Sequence, residues 1–446
     1  MFLIMVFKGG ENLKYIKCIA CVLGICALFS ACNFQFSSSI DDLISPISPI
    51  GDNADIKTAL DEYVQNGYDL KTPTYGKHIT SYTFFDIDGD GEKEAIAFYE
   101  PSDDLGTIDM AVIKKRDDAF EVIENIKGMG KDIHSLDFID VNGSGNKELV
   151  VCWDVIRNSS SHEMCVYEVK KKKDKISLSE IGESITVNNY IAVDINNDSV
   201  DELLVFKLGN GSSSYAGAEA CSYLYGKLRI LGETKLDSHI SSYNELKVEE
   251  IENDYNRVYA DAISSSGSSM LTEIVYWSDA YGTIISPFYS YSSGRTKDTA
   301  RNVMITSRDI NSDGIIEVPN DKKLSSLPIQ ISCIDWKVYK KSILIHTDYT
   351  LCSVSDRYTV IIPDKYIDKI SVGYDEKTRI MSVSSKDSRI EAFRIVPVLK
   401  ATYDKRKFEG YTTVLDDSGY YYLAKTGDNP DIDITIKDLK TYIKSI

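Results

Sequence analysis

The chain has 446 residues, 43% hydrophobic and 10% aromatic, enough for two or three domains with ordinary soluble-protein cores. Its formal net charge of −18 argues against nucleic acid as a partner, because a phosphate-binding face needs a basic stripe and the sequence has none. The 29 tyrosines, with many Ile, Val, Ser and Thr residues, tilt the composition toward strands.

In chain order, Lys14 and Lys17 precede the short apolar run CIACVLGICALF, and Ser30-Ala31-Cys32 follows it. A positive flank, an apolar core of about a dozen residues and small residues before a cysteine resemble a bacterial lipoprotein signal peptide. Phe29 stands where its lipobox usually has Leu. The resemblance implies cleavage after residue 31, a lipid on Cys32 and a location on the extracytoplasmic side of a bacterial cell membrane. The apolar run is too short for a spanning helix, which needs ~20 residues. Residues 32–52, Ser- and Pro-rich, read as a tether. Residues 53–77 read as a helix capped by Asn53, with Ile56, Leu60, Tyr63 and Val64 on one face, plus a lead-in. The five cysteines beyond Cys32 are widely spaced and lie mostly in apolar runs, so buried free thiols are expected, with Cys152 and Cys165 as possible neighbours on adjacent strands.

From residue 78 the texture becomes alternating strands, and a nine-residue loop recurs: DIDGDGEKE (86–94), DVNGSGNKE (140–148), DINNDSVDE (194–202) and DINSDGIIE (309–317). The first three begin 54 residues apart and the fourth 115 residues on, so one unit near 245–290 is expected to keep its strands without the loop. Four short strands per unit describe a propeller blade. The expected architecture is mainly β: a propeller of about five four-stranded blades over 78–350, then a small α+β domain over 351–446 that ends in an amphipathic helix over 435–446, with Ile436, Leu439, Tyr442 and Ile443 on one stripe. A six- or seven-bladed ring borrowing later strands is the alternative.

Oxygen donors recur in each loop. Position 1 holds Asp86, Asp140, Asp194 and Asp309, and position 3 holds Asp88, Asn142, Asn196 and Asn311. Position 5 holds Asp90, Ser144, Asp198 and Asp313, and position 9 holds Glu94, Glu148, Glu202 and Glu317. Such donors suit a hard cation, calcium above all. Position 7 (Glu92, Asn146, Val200, Ile315) shares no side-chain chemistry, which points to a backbone carbonyl ligand there. Position 6 is Gly91, Gly145, Ser199 or Gly314, where the turn calls for a positive φ, and position 2 is always Ile or Val. An EF-hand would need a Glu at position 12, which here is Ala97, Val151, Val205 or Asn320.

The Asp-x-Asp-x-Asp-Gly-x-x-Glu spacing between strands instead resembles the calcium loop of FG-GAP or VCBS-type propeller repeats, and the stretch at 79–99 resembles bacterial lipoproteins that carry them. That resemblance implies structural calcium at up to four sites. With four carboxylates, the first loop is expected to bind most tightly; Ser199 is expected to strain the third, and Pro319 to disturb the exit of the fourth.

No phosphate loop, nucleophile elbow or metalloprotease helix occurs, and the histidines (78, 134, 162, 239, 346) form no motif. The Lys170–Lys173 run reads as a solvated hairpin tip, GNGSSSYAGA (209–218) and SSSGSS (264–269) as blade loops, and SPFYSYSSGR (286–295) as a loop whose tyrosines could stack on sugar rings. Catalytic residues are not expected. The function these observations favour is a membrane-anchored binding or scaffold protein with an envelope protein or glycan as partner; the alternative is a polysaccharide-acting enzyme with its site at the propeller channel.

Overall fold

The structure is a computed structural model described over residues 51–446, apart from 157–158, 173–174, 210–215 and 418. The expected signal peptide, Cys32 and nearly all of the tether lie outside the described residues, as does most of 209–218. No helix among the described residues is long and apolar enough to cross a membrane.

The protein is mainly β, built from antiparallel sheets that follow one another along the chain. The first contains strands Tyr82–Phe85, Glu94–Pro101, Asp109–Arg116 and Ala119–Lys127, joined as a meander. Tyr68–Lys71, expected only as lead-in, also pairs with Glu94–Pro101 and belongs to this sheet. The second runs Asp132–Ile139, Glu148–Asp154 and His162–Lys172, its outer edge shared by Lys175–Glu180 and Ile185–Val187. The third runs Asn189–Val193, Glu202–Lys207, Gly217–Leu224 and Lys227–Lys235. A fourth, Ile240–Glu249, Arg257–Ser264, Met270–Ser278 and Thr283–Ile285, fills the interval where the loop is missing.

Each sheet packs on the next through alternate residues of its strands, because successive side chains point to opposite faces. Along ELVVCWD, Leu149, Val151 and Trp153 join a core with Ile96, Phe98 and Val112 of the first sheet. Val150 and Cys152 join a core with Leu203 and Val205 of the third. That is why the segment reads as an unbroken apolar run: both of its faces are buried. Leu204 and Phe206 then pack on Val258 and Ala260 of the fourth sheet, and Tyr259 and Ile274 on Val318 and Tyr339 of the fifth. Gly128 sits in the first interface, where a Cβ would lie 2.5 Å from both the Ile108 carbonyl and the Trp153 ring. Gly128→Ala should therefore destabilise by about 1–3 kcal/mol through overpacking. A change under ~0.5 kcal/mol in equilibrium denaturation would contradict this packing.

The fifth sheet, Glu317–Asp321, Ser332–Lys340, Ile343–Ser353 and Tyr358–Ile362, corrects the expected boundary at 350/351, which falls inside one of its strands. The last strand, Ile443–Ser445, returns to pair with Tyr358–Ile362, so the expected C-terminal helix stops at Tyr442. A sixth sheet, spanning Ile370–Asp375 to Tyr420–Thr426, shares one core with the fifth: Leu351, Tyr358 and Val360 pack with Val383, Phe393 and Tyr422. The five described cysteines are free and buried. Cys152 and Cys165 lie on adjacent strands but join cores on opposite faces of the sheet.

Candidate metal loops and a histidine cluster

In all four loops the backbone is folded by the loop's own side chains. The position-1 carboxylate accepts from the N–H of position 5 at 3.1 Å in each copy, and from position 6 at 2.8–2.9 Å. The position-3 side chain also accepts from position 5, and the position-5 side chain from position 7. Position 9 opens the next strand, and its Oε2 accepts from the position-2 N–H: Glu94 from Ile87, Glu148 from Val141, Glu202 from Ile195 and Glu317 from Ile310. Position 2 is buried in every copy, which pins the loop to the sheet. Position 6 is left-handed throughout, Ser199 included at φ 71°, as its residue types predict. Position 4 is left-handed too (Gly89, Gly143, Asn197, Ser312), a requirement the Gly/Asn/Ser pattern carries and the motif reading missed. Pro319 lies in Glu317–Asp321, the edge strand of its sheet, where a residue without an N–H is tolerated.

The loops differ in what faces their acids. In the first, Lys114 Nζ stands among Asp88 (3.0 Å), Asp90 (2.7 Å) and Glu94 (2.6 Å), and Lys171 reaches Asp88 from the second sheet at 3.0 Å. The carboxylates expected to bind calcium most tightly are already balanced by an ammonium. Burial alone would lower the Lys114 pKa, but the hydrogen bonds it donates to these carboxylates outweigh burial and hold it above its ordinary value. At the matching place the other sheets carry Glu168, Ser222 and Val338, none of them cationic. Burial accordingly pushes Glu148 and Glu202 up to about 7 and Glu317 to about 8. Glu148 Oε1 accepts from Asn142, and Glu202 Oε1 from Asn196. Glu317 Oε1, in a fully buried residue, has no hydrogen-bond partner. Donor atoms of Asp309, Asp313 and Glu317 lie within 4.8 Å of one another, as do those of Asp86, Asp88 and Asp90.

A cation therefore fits the fourth loop best: an orphaned buried carboxylate oxygen converges with two further acids, and no lysine intervenes. In the first loop the cation's role is filled by Lys114. Lys114→Met should lower stability in chelator by about 1–3 kcal/mol, by leaving three carboxylates facing one another. Added calcium should then restore more stability to the variant than to the parent in matched thermal melts. Equal melting of the two chains in chelator would contradict this role for Lys114.

The fourth sheet replaces the loop with an internal ion pair. Arg257 occupies the register that Glu holds in the other sheets, paired across the strands with Glu249. Glu249 Oε2 accepts from Arg257 at 3.3 Å and from Tyr259 Oη at 2.9 Å, and its Oε1 accepts from Ile316 N within the fourth loop.

The second sheet also assembles a group that the sequence reading left unconnected. His134, Asp154 and His162 come from three consecutive strands and present donor atoms within 4.8 Å of one another. The His134 and His162 rings stack at 3.6 Å, and His162 Nδ1 hydrogen-bonds Asp154. Burial, then His162, pushes His134 down to about 4, so it is neutral at pH 7. The residues are 20 and 8 apart in sequence, so only the strand register reveals them. In the tyrosine-rich segment, Tyr291 is exposed and meets Tyr289 edge to face.

No protein-family model matches the chain, and no curated protein matches it. Among solved structures it is similar to one described as the Dos1 propeller, at 10% identity and a TM-score of 0.29, over 78% of this chain and 89% of that one. A likeness of that size adds nothing to the fold, which rests on the strand pairing above.

Proposed function

We propose that this chain is a lipid-anchored extracytoplasmic binding or scaffold protein, tethered through Cys32, whose row of sheets closes as a five-bladed β-propeller stabilised by calcium. The observation that carries the calcium part is the Glu317 Oε1 atom, buried without a partner beside Asp309 and Asp313 in a loop whose hydrogen-bond pattern recurs four times. Asp309, Asn311, Asp313, Ile315 and Glu317 would hold the ion, as would the matching residues of the second and third loops. The ion's contribution is structural: it balances buried acids where the loop meets the strand. Support for a binding role comes from the absence of a recognisable catalytic motif in the sequence and from exposed aromatics such as Tyr225, Tyr281 and Tyr291.

Detergent partitioning after expression in a bacterial host tests the anchor: the parent should enter the detergent phase and Cys32→Ser the aqueous phase. Affinity capture with envelope glycans and envelope proteins, each with calcium present, tests the binding role. Turnover of a cell-wall polymer by the purified chain would overturn it in favour of an enzyme.

A further inference from the structure

The second sheet carries a group unrelated to the loops. Asp132–Ile139, Glu148–Asp154 and His162–Lys172 bring His134, Asp154 and His162 to the same end of the sheet. His134 lies at a β-bulge: Ile133 pairs with Trp153 and Ser135 with Cys152, which leaves His134 as the extra residue. A bulge re-aims a side chain, and bulges gather next to functional sites. Here the displaced ring stacks on His162 at 3.6 Å, while Tyr75 covers it at 5.1 Å. The N–H groups of Thr74 and Tyr75 donate to the His134 carbonyl at 3.1 and 2.8 Å, fixing the strand that carries it. His162 and Asp154 are buried and hydrogen-bonded to each other. The group opens on a cavity of about 450 Å³ whose walls include Thr74, Asp132, Asn188 and Tyr243.

We infer that His134, Asp154 and His162 form a site for a zinc-class divalent ion, with its open coordination position facing this cavity. Two imidazoles, which are borderline donors, beside one hard carboxylate favour zinc and its neighbours over calcium. Three protein ligands with one position left free is the arrangement of zinc sites that bind an exchangeable water or an oxygen ligand. The ion takes the place of the hydrogen bond between Asp154 and His162. The two side chains then part to the separation of neighbouring tetrahedral ligands. This site is independent of the calcium loops and of whether the row of sheets closes.

The test uses the full chain saturated with calcium, so that the acidic loops do not compete, and zinc alone as the probe. In competition with a chromophoric chelator of micromolar affinity, the parent should hold one equivalent of zinc. His134→Gln, His162→Gln and Asp154→Asn should each weaken it at least about tenfold, with calcium-dependent melting unchanged. Absence of zinc uptake by the parent, or undiminished uptake by all three variants, would overturn the site. If the variants lose cooperative melting, cobalt substitution in the parent decides the matter. Intense visible absorption from a four- or five-coordinate ion supports the site, and the weak spectrum of octahedral aqueous cobalt refutes it.

Discussion

Replacing Arg301 with methionine should cost the folded chain about 3–5 kcal/mol, the range for breaking a buried ion pair from one side. Both side chains of the Arg301–Asp261 pair are fully buried, 2.7 Å apart. Arg301 also donates from Nε to the Ile305 carbonyl and from Nη1 to Thr272 Oγ1 and the Thr299 carbonyl. Asp261 further accepts from Thr272 Oγ1, Ser307 N and Ser307 Oγ. The network joins the fourth sheet to the segment leading into the fourth loop. Removing the guanidinium leaves Asp261 charged and buried with dipoles alone to support it. Arg301→Met should therefore lower the urea midpoint with little change in slope, and a loss under ~1 kcal/mol would mean that water or rearrangement replaces the cation. Exchanging both partners for apolar residues of similar volume should cost less than the single change, because no charge is then stranded.

The second large effect is calcium's. A site that binds only the folded chain adds RT ln(1 + [L]/Kd), about 2.7 kcal/mol when free calcium is 100-fold above Kd. Chelator should therefore lower the melting temperature of the parent. Glu317→Gln separates the fourth loop from the rest, because it reverses sign with conditions. In chelator the variant should be at least as stable as the parent: the amide oxygen can keep the bond from Ile310 N, and its NH2 can donate toward Asp309 and Asp313 instead of stranding a carboxylate oxygen. In calcium the parent should be the more stable. A variant less stable in both conditions would place the role of Glu317 in packing rather than ion binding.

Much of the fold can be read from local chemistry. The Asp-x-Asp/Asn-x-Asp/Ser spacing is visible because each side chain folds a backbone N–H two to five residues away, so the pattern is local and repeats intact. The 54-residue interval and the loop-less fourth unit follow from the same local signal. What depends on register across strands stayed hidden. Lys114 lies 20 residues beyond Glu94, and nothing in VIKKR singles it out as the cation that would fill the first loop. His134 becomes part of a cluster only through a bulge. Arg301 and Asp261 are 40 residues apart, in stretches that read as an ordinary loop and strand. The return of Ile443–Ser445 to the fifth sheet ties the chain's end to Tyr358–Ile362, a contact that the amphipathic pattern of the preceding helix masks.

The most direct test is the calcium stoichiometry of the full chain and of Glu317→Gln, measured side by side by equilibrium dialysis. Saturable binding by the parent, with one equivalent lost in the variant, is the predicted result. Absence of saturable binding, or the same stoichiometry in both chains, would contradict the reading of these loops as structural calcium sites.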